Sequence, residues 1–338
     1  MSEKEHYKLT IEPITCVHIG TGETLTPLDY KLTMFNGELQ YFAYSVDAVM
    51  NRIVKNREKD IKTFRELNRL SNSNDMNVLA EFFNENADKD GIRKSELLAL
   101  CPTTQDFKNR YHCNAEKNLL ENAGEVLQMY RNGLSPVIPG SSLKGSIRTA
   151  VLNNRHCRSC YSDAKKDPFR AFEIGDCEFS GKGSQLVGLL KILGTKNENN
   201  TQLQAEVIKG YLLNDIEVIG TCRMAINKEL VAKNFLQEPV SIEEIVRSCN
   251  NFYLQTFEKE YSNFYKNKYE GVDFIKTLRN ELQAVKDTKN QFIVRVGRWS
   301  QKEFVTVDND KCGKTRTVFD YDGQYLPLGW CKCSVEKQ

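Results

Sequence analysis

The chain has no run of apolar residues approaching the roughly 18–20 that a membrane-spanning helix requires. Net charge is almost absent as well: 47 Lys and Arg against 45 Asp and Glu leave +2 at pH 7 over 338 residues. That excludes wholesale attraction to polyanions, so any nucleic-acid site has to be local. Histidine (four) and tryptophan (two) are scarce. The residue order offers no Ser/His/Asp set, no dinucleotide fingerprint and no Gly-Lys-Ser/Thr of a P-loop. No internal repeat is visible. The opening stretch, Met1 to Lys8, lacks the apolar segment of a secretory signal. The expectation is a cytoplasmic protein without membrane contact, whose eleven cysteines are reduced thiols rather than a disulfide framework.

What is present concentrates at Pro136-Val137-Ile138-Pro139-Gly140-Ser141-Ser142-Leu143-Lys144-Gly145-Ser146-Ile147-Arg148. It reads as a strand end, a Pro-Gly turn and a helix opened by two serines, either of which can serve as N-cap. Lys144 sits in the first turn, where the helix dipole favours acids, and Arg148 shares its face four residues on. Free N–H groups, a positive dipole end and two cations would suit a phosphate or phosphodiester. Gly145 leaves room for close backbone approach. The alternative is an ordinary solvated helix start. Charge is locally uneven too: from Ser141 to Arg170 seven cations face only Asp163 and Asp167. A basic patch of this kind is an electrostatic footprint for nucleic acid, or a lysine-rich surface loop.

Three other places carry candidate chemistry. His18 ends the first strand beside the Gly20-Thr21-Gly22 turn and is the best general acid/base candidate. No partner for it can be placed from sequence, and a structural histidine facing a partner or RNA is the favoured reading. Asp29 has only Glu23 nearby, too little for metal-dependent chemistry. Arg295-Val296-Gly297-Arg298-Trp299 sets a glycine at a strand end among arginines and an aromatic, suited to phosphate pairing and base stacking. Gly297 and Arg298 are candidate contacts, and Lys314 and Arg316, in a basic turn, either follow RNA or cap a hairpin. Cys157-Arg158-Ser159-Cys160 has ligand spacing for one zinc, with His156, Cys177 or the more distant His112 and Cys113 to complete it. A second Cys-x-x-Cys is absent, so free thiols remain the favoured reading and no cofactor is assigned.

Interleaved elements without a run of βαβ repeats predict an α+β protein, and the length suits two domains. Alternation predicts a first strand over Tyr7–Ile19, and Asn36-Gly37 predicts a hairpin between 30–33 and 39–43. Helical spacing over about 45–120 reads as a helical insertion. Strand character returns at 125–130 and 135–138, then around 169–179 and 203–226. Residues 242–280 read as helical, with Phe252, Phe257, Tyr261, Phe264 and Tyr265 as a core-packing stripe. Strands are expected at 292–296, 304–307 and 325–335.

The stretch Pro139 to Thr149 resembles the signature of the RAMP superfamily of repeat-associated RNA-binding proteins. His18-Ile19-Gly20-Thr21-Gly22-Glu23, Thr26-Pro27-Leu28-Asp29-Tyr30 and Pro327-Leu328-Gly329-Trp330-Cys331-Lys332 are similar to the opening and closing segments of one type III-A (Csm) CRISPR subunit. That is the subunit capping the 3′ end of the guide RNA (crRNA). The resemblance implies two tandem ferredoxin-like (RRM-like) domains, 1–180 with the insertion and 181–338 with a helical segment near 242–287. It implies a non-catalytic, crRNA-binding member of an antiviral ribonucleoprotein complex, with the repeated backbone subunit, the small subunit and host nucleases of guide maturation as partners. Gly140, Ser141, Ser142, Lys144, Gly145 and Arg148 would hold RNA, with His18, Gly20, Gly22, Gly297 and Arg298. In the family the region of Gly297 is a glycine-rich loop, and here Arg298 and Trp299 stand where small residues are expected. Alternatives are a metal-independent repeat endoribonuclease using His18, and a protein-only capping module.

Overall fold

A computed structural model describes residues 4–73, 75–89, 91–116, 124–156, 167–181, 183–194, 202–213, 217–232, 240–266, 273–299, 304 and 315–338. The central sheet is antiparallel, in the order Gln291–Arg295, Trp330–Lys337, Lys4–Pro13, Gly220–Asn227, Cys177–Glu178, Ser135–Ile138 and Arg131–Asn132, with Phe172–Ile174 also paired to Gly220–Asn227. Alternation along the first strand explains its place: Tyr7, Leu9 and Ile11 point into the core while Lys8, Thr10 and Glu12 point away. Leu9 lies opposite Cys222 on one side and Val335 on the other, so both ends of the chain close one sheet.

Helices α1 (Val46–Lys55), α2 (Ile61–Leu70) and α3 (Met76–Ala87) follow the predicted insertion, and α4 (Gln105–Glu116) comes after them. Each of the first three has a local cap: Ser45 accepts from the Ala48 amide, Asp60 from Thr63 and Asp75 from Asn77. The insertion is not purely helical. Leu97–Cys101 forms a strand on Glu38–Tyr44, completing a three-stranded sheet with Tyr30–Phe35. Its alternating burial is short, and helical spacing on both sides masks it. The Asn36-Gly37 hairpin is as expected, both turn residues having positive φ (52° and 83°). Phe42, Tyr44, Val49, Ile53, Leu67, Phe82 and Phe83 give this region its own core.

A second sheet runs Gln324–Pro327, Arg316–Tyr321, Gln185–Leu193, Gln202–Ile208, Val126–Met129 and Gly20–Leu25. The strand Gln185–Leu193 went unread in the sequence because its continuous apolar run carries no period-2 signal. Both large sheets take strands from either side of residue 180.

Against the inner face of the central sheet pack α5 (Gly140–Asn154) and α6 (Ile242–Glu260), continued by a π-helical turn, Tyr261–Tyr265, and α7 (Asp273–Ala284). Ser241 caps α6, accepting from the Glu244 amide at 3.1 Å. The stripe on α6 is core: Phe252, Phe257 and Tyr265 are buried, with Tyr261 and Phe264 packed at its edge. Trp330, fully buried, meets Phe257 and Phe304 edge-on at 5.3 and 5.5 Å. No described helix is long and apolar enough to cross a membrane.

Candidate RNA interface

The predicted N-cap is displaced. Helix α5 begins at Gly140, one residue before the serines, and Pro139 at the cap position supplies no side-chain hydrogen bond. The cap comes from outside the segment: the Gly140 amide donates to Asp176 Oδ1 at 2.8 Å. Gly140 is the residue that permits this, since a Cβ there would lie 2.3 Å from the Ile174 carbonyl oxygen. A carboxylate 36 residues away therefore occupies the helix end that the sequence offered to a phosphate.

Lys144 and Arg148 share a face, as their spacing requires, but it is turned toward residues 167–173. Lys144 Nζ donates to the Phe172 carbonyl oxygen at 2.7 Å, and its burial pulls the ammonium below its ordinary pKa. The Arg148 guanidinium pairs with Asp167 at 2.9 Å. Arg155 forms a two-pronged pair with Glu244. Three of the four described cations of the patch thus have internal partners, and the fourth, Arg170, is exposed. Arg158, Lys165 and Lys166 lie outside the described residues, as do Cys157, Cys160 and Lys314. Cys177 is buried in the core beside Cys222, and His156 is exposed.

The opposite face of α5 builds a cleft of about 550 Å³. Ser142, Gly145, Ser146 and Thr149 line it at i, i+3, i+4 and i+7, and Lys144 and Arg148 do not. Gly20 and Gly22, expected as a turn but lying in the strand Gly20–Leu25, form another wall, Gly297 and Arg298 a third, and Phe252, Tyr253, Phe304 and Arg295 the floor. Three glycine-bearing segments distant in sequence thus converge. Two side chains tie α5 to the Gln291–Arg295 strand and to α6: Ser146 Oγ donates to the Arg295 carbonyl oxygen at 3.0 Å, and the Tyr253 hydroxyl donates to that of Ser146 at 3.0 Å.

Gly297 serves a different need from the one its surroundings predicted. Its φ is +89°, and a Cβ would sit 2.4 Å from the His18 carbonyl oxygen. Its smallness lets the 297–299 loop close on the first turn, where the Arg298 amide donates to the same oxygen at 3.1 Å. The side chain of Arg298 stays exposed, its guanidinium 5.3 Å from the centre of the Trp299 ring. Gly22 (φ +93°) and Gly145 have open space where a Cβ would be. At those two places a ligand backbone can approach closely.

His18 is buried beneath this junction. Its Nδ1 contacts the Glu206 carbonyl oxygen at 2.7 Å, which assigns the proton to Nδ1 because a carbonyl only accepts. The ring lies against Trp299, 5.2 Å between centroids. Desolvation lowers its pKa, the bond to Glu206 opposes this, and Arg298 adds to the lowering. The ring is a neutral spacer holding the turn to the second sheet.

Sequence reasoning missed the charges under the cleft floor. Arg295, fully buried, pairs with Glu260 at 2.9 Å, and Arg316 pairs with the other oxygen of Glu260 at 3.1 Å. Arg295 is sandwiched 4.7 Å from Phe304 and 5.2 Å from Trp330. Arg316, read from sequence as a weak RNA contact, is therefore structural. The signal was present in Phe-Ile-Val-Arg295-Val, an arginine inside an apolar strand. Among the described residues no group of His, Cys, Asp and Glu is arranged to hold a metal.

The antiparallel central sheet backed by α5 and α6, with the glycine-bearing segments meeting over α5, makes this a mixed α+β protein. A model of the RAMP superfamily matches residues 10–310, and the chain belongs to that superfamily. It shares its fold with a chain from the cryo-EM structure of a Csm-crRNA-target RNA ternary complex of a type III-A CRISPR-Cas system. The identity is 15%, the TM-score 0.66, and the match covers 98% of this chain and 100% of that one. It is also similar to the crystal structure of T. onnurineus Csm5, with 16% identity, a TM-score of 0.52, and 95% and 99% of the two chains covered. No curated protein matches it in sequence.

Proposed function

We propose that this chain binds guide RNA as a non-catalytic subunit of a type III-A CRISPR complex, at the 3′ end of the crRNA. Membership of the superfamily and the shared fold support the class. The observation that carries the site is the convergence of Gly20, Gly22, Gly145, Gly297 and Arg298 on one cleft. The open positions at Gly22 and Gly145, the Ser142 hydroxyl and one exposed guanidinium suit a phosphodiester backbone more than a particular base. Binding of this kind is salt-sensitive and weakly selective for sequence. Partners in this reading are the terminal backbone subunit and the small subunit in a prokaryotic cytoplasm, with host nucleases trimming the guide. Two ferredoxin-like units are part of it, and the antiparallel central sheet backed by α5 and α6 supports one of them, assembled from both ends of the chain.

The endoribonuclease alternative draws no support from His18, whose Nδ1 is committed to Glu206 and whose ring is buried. The test is co-expression with the other subunits and a guide, followed by crosslinking. The reading expects crRNA of defined 3′ length in the complex and crosslinks at residues 20–22 and the 297–298 loop. RNA-free complex, or crosslinks confined to other surfaces, overturns it.

A further inference from the structure

We propose that Trp299 is a positioning residue of the cleft: its indole holds the Arg298 guanidinium ordered yet unpaired, ready for an RNA phosphate. This role rests on the RNA-binding reading of the cleft.

The backbone at this position is unusual. Trp299 has a φ of +67°, a left-handed conformation that is rare for a bulky side chain and persists where the surroundings hold it. The other described non-glycine residues with positive φ have local reasons. Asn36 and Asp322 precede Gly37 and Gly323 in hairpin turns, and His156 follows the end of α5. Trp299 instead follows Arg298 of the cleft wall, two residues after Gly297 (φ +89°). Arg298 is thus bracketed by two left-handed residues, its amide turned inward to the His18 carbonyl oxygen and its side chain exposed.

Contacts of the ring hold Trp299 there. It lies against the buried His18 imidazole, 5.2 Å between centroids, and packs on the apolar cluster of the second sheet that includes Val207, Phe319 and Leu328. His18 is itself tied to that sheet through the Glu206 carbonyl oxygen. The indole is therefore a fixed surface, and the Arg298 guanidinium carbon lies 5.3 Å from its centre.

Stacking sets this guanidinium apart from the neighbouring cations. Lys144, Arg148, Arg155 and Arg295 spend N–H donors on carbonyl or carboxylate oxygens of the protein. The Arg298 side chain makes no hydrogen bond or ion pair with a described residue. An aromatic face takes up the plane of a guanidinium and leaves free the N–H groups at its edge, which are the groups that grip phosphate. Its rotamers are narrowed before RNA arrives, so less side-chain freedom is lost on binding. A small residue in place of Trp299 would leave the arginine loose.

The test compares two apolar replacements of the ring. Trp299→Leu keeps apolar bulk without a π face, Trp299→Phe keeps the face, and both carry the same backbone strain. Affinity of the full chain for a fluorescein-labelled single-stranded RNA is measured by anisotropy, well below both melting temperatures. Each variant is measured alone and combined with Arg298→Ala. Trp299→Leu should weaken binding about three- to tenfold, while Trp299→Phe stays within about twofold of the wild type. With Arg298→Ala added, the difference between the two variants should vanish, because the arginine they act through is gone. Equal affinity of the two variants, or a difference that persists without Arg298, overturns the proposal: the ring then acts on the fold or touches RNA itself. Either result leaves the guide-binding reading standing so long as Arg298→Ala alone weakens binding. If Arg298→Ala has no effect, the cleft reading fails and the role of Trp299 fails with it.

Discussion

Replacing Glu260 by Gln tests whether the floor of the cleft is held by charge. The carboxylate is fully buried and shared between Arg295 and Arg316, whose side chains are 0% and 4% exposed. Gln is nearly isosteric, so no cavity forms and the loss isolates the charge. Two guanidiniums would then face each other in an apolar core without the carboxylate they share. Removing one partner of a buried pair costs about 3–5 kcal/mol, a large part of the roughly 5–15 kcal/mol that holds a typical domain together. The cation–π contacts of Arg295 with Phe304 and Trp330, and of Arg316 with Phe264 at 4.8 Å, exist with or without the carboxylate and do not compensate. The control is Glu258→Gln, two residues earlier, which breaks a solvent-exposed pair with Arg279 (34% and 40% exposed) and should cost no more than about 1 kcal/mol. Thermal and denaturant unfolding followed by circular dichroism compares the two. Adding Arg316→Met to Glu260→Gln should restore part of the loss, since one of the two cations that shared the buried carboxylate is removed. If Glu260→Gln melts like Glu258→Gln, the buried charges are not what fixes the cleft floor, and the reasoning fails.

Gly297→Ala forces a side chain to a φ of +89° and into the His18 carbonyl. A loss of roughly 1–3 kcal/mol is expected from strain together with the hydrogen bond from the Arg298 amide, and RNA binding should weaken with it. Wild-type stability and affinity in this variant would contradict the proposed junction. Arg298→Ala should weaken RNA binding evenly across sequences and lower the salt-dependence slope by about one, measured by fluorescence anisotropy at several salt concentrations. A sequence-selective loss would point to base readout instead. Lys144→Met with Arg148→Met should lower the melting temperature while changing RNA affinity less than Arg298→Ala does. The reverse order would return the binding site to the other face of α5. Because burial lowers the pKa of His18, the unfolded chain binds more protons than the folded one between the folded value and roughly 6.5. Stability should therefore rise with pH through that window and fall on acidification, and His18→Gln should flatten this part of the melting-temperature profile.

What the sequence made legible was local, and what it hid depended on partners far along the chain. Asn36-Gly37 announced its hairpin because both residues tolerate positive φ, a property of the dipeptide itself. The spacing of Lys144 and Arg148 correctly set them on one helix face. Nothing in that spacing says that the face meets Phe172 and Asp167, or that Ser142, Gly145, Ser146 and Thr149 meet residues 20–22 and the 297–298 loop. The serines looked like caps because nothing local competed with them; Asp176 competes from another strand connection. Gly297 shows the same limit in sharper form. Its arginine and tryptophan neighbours argued against a close backbone approach, yet a backbone does approach, the chain's own at His18. A glycine-and-cation motif in one segment thus specifies that something negative or crowded lies opposite. Only the fold decides whether that is a ligand, a carboxylate or a carbonyl. In α5 the fold gives the conspicuous cations to the protein and leaves the plain small residues to the cleft.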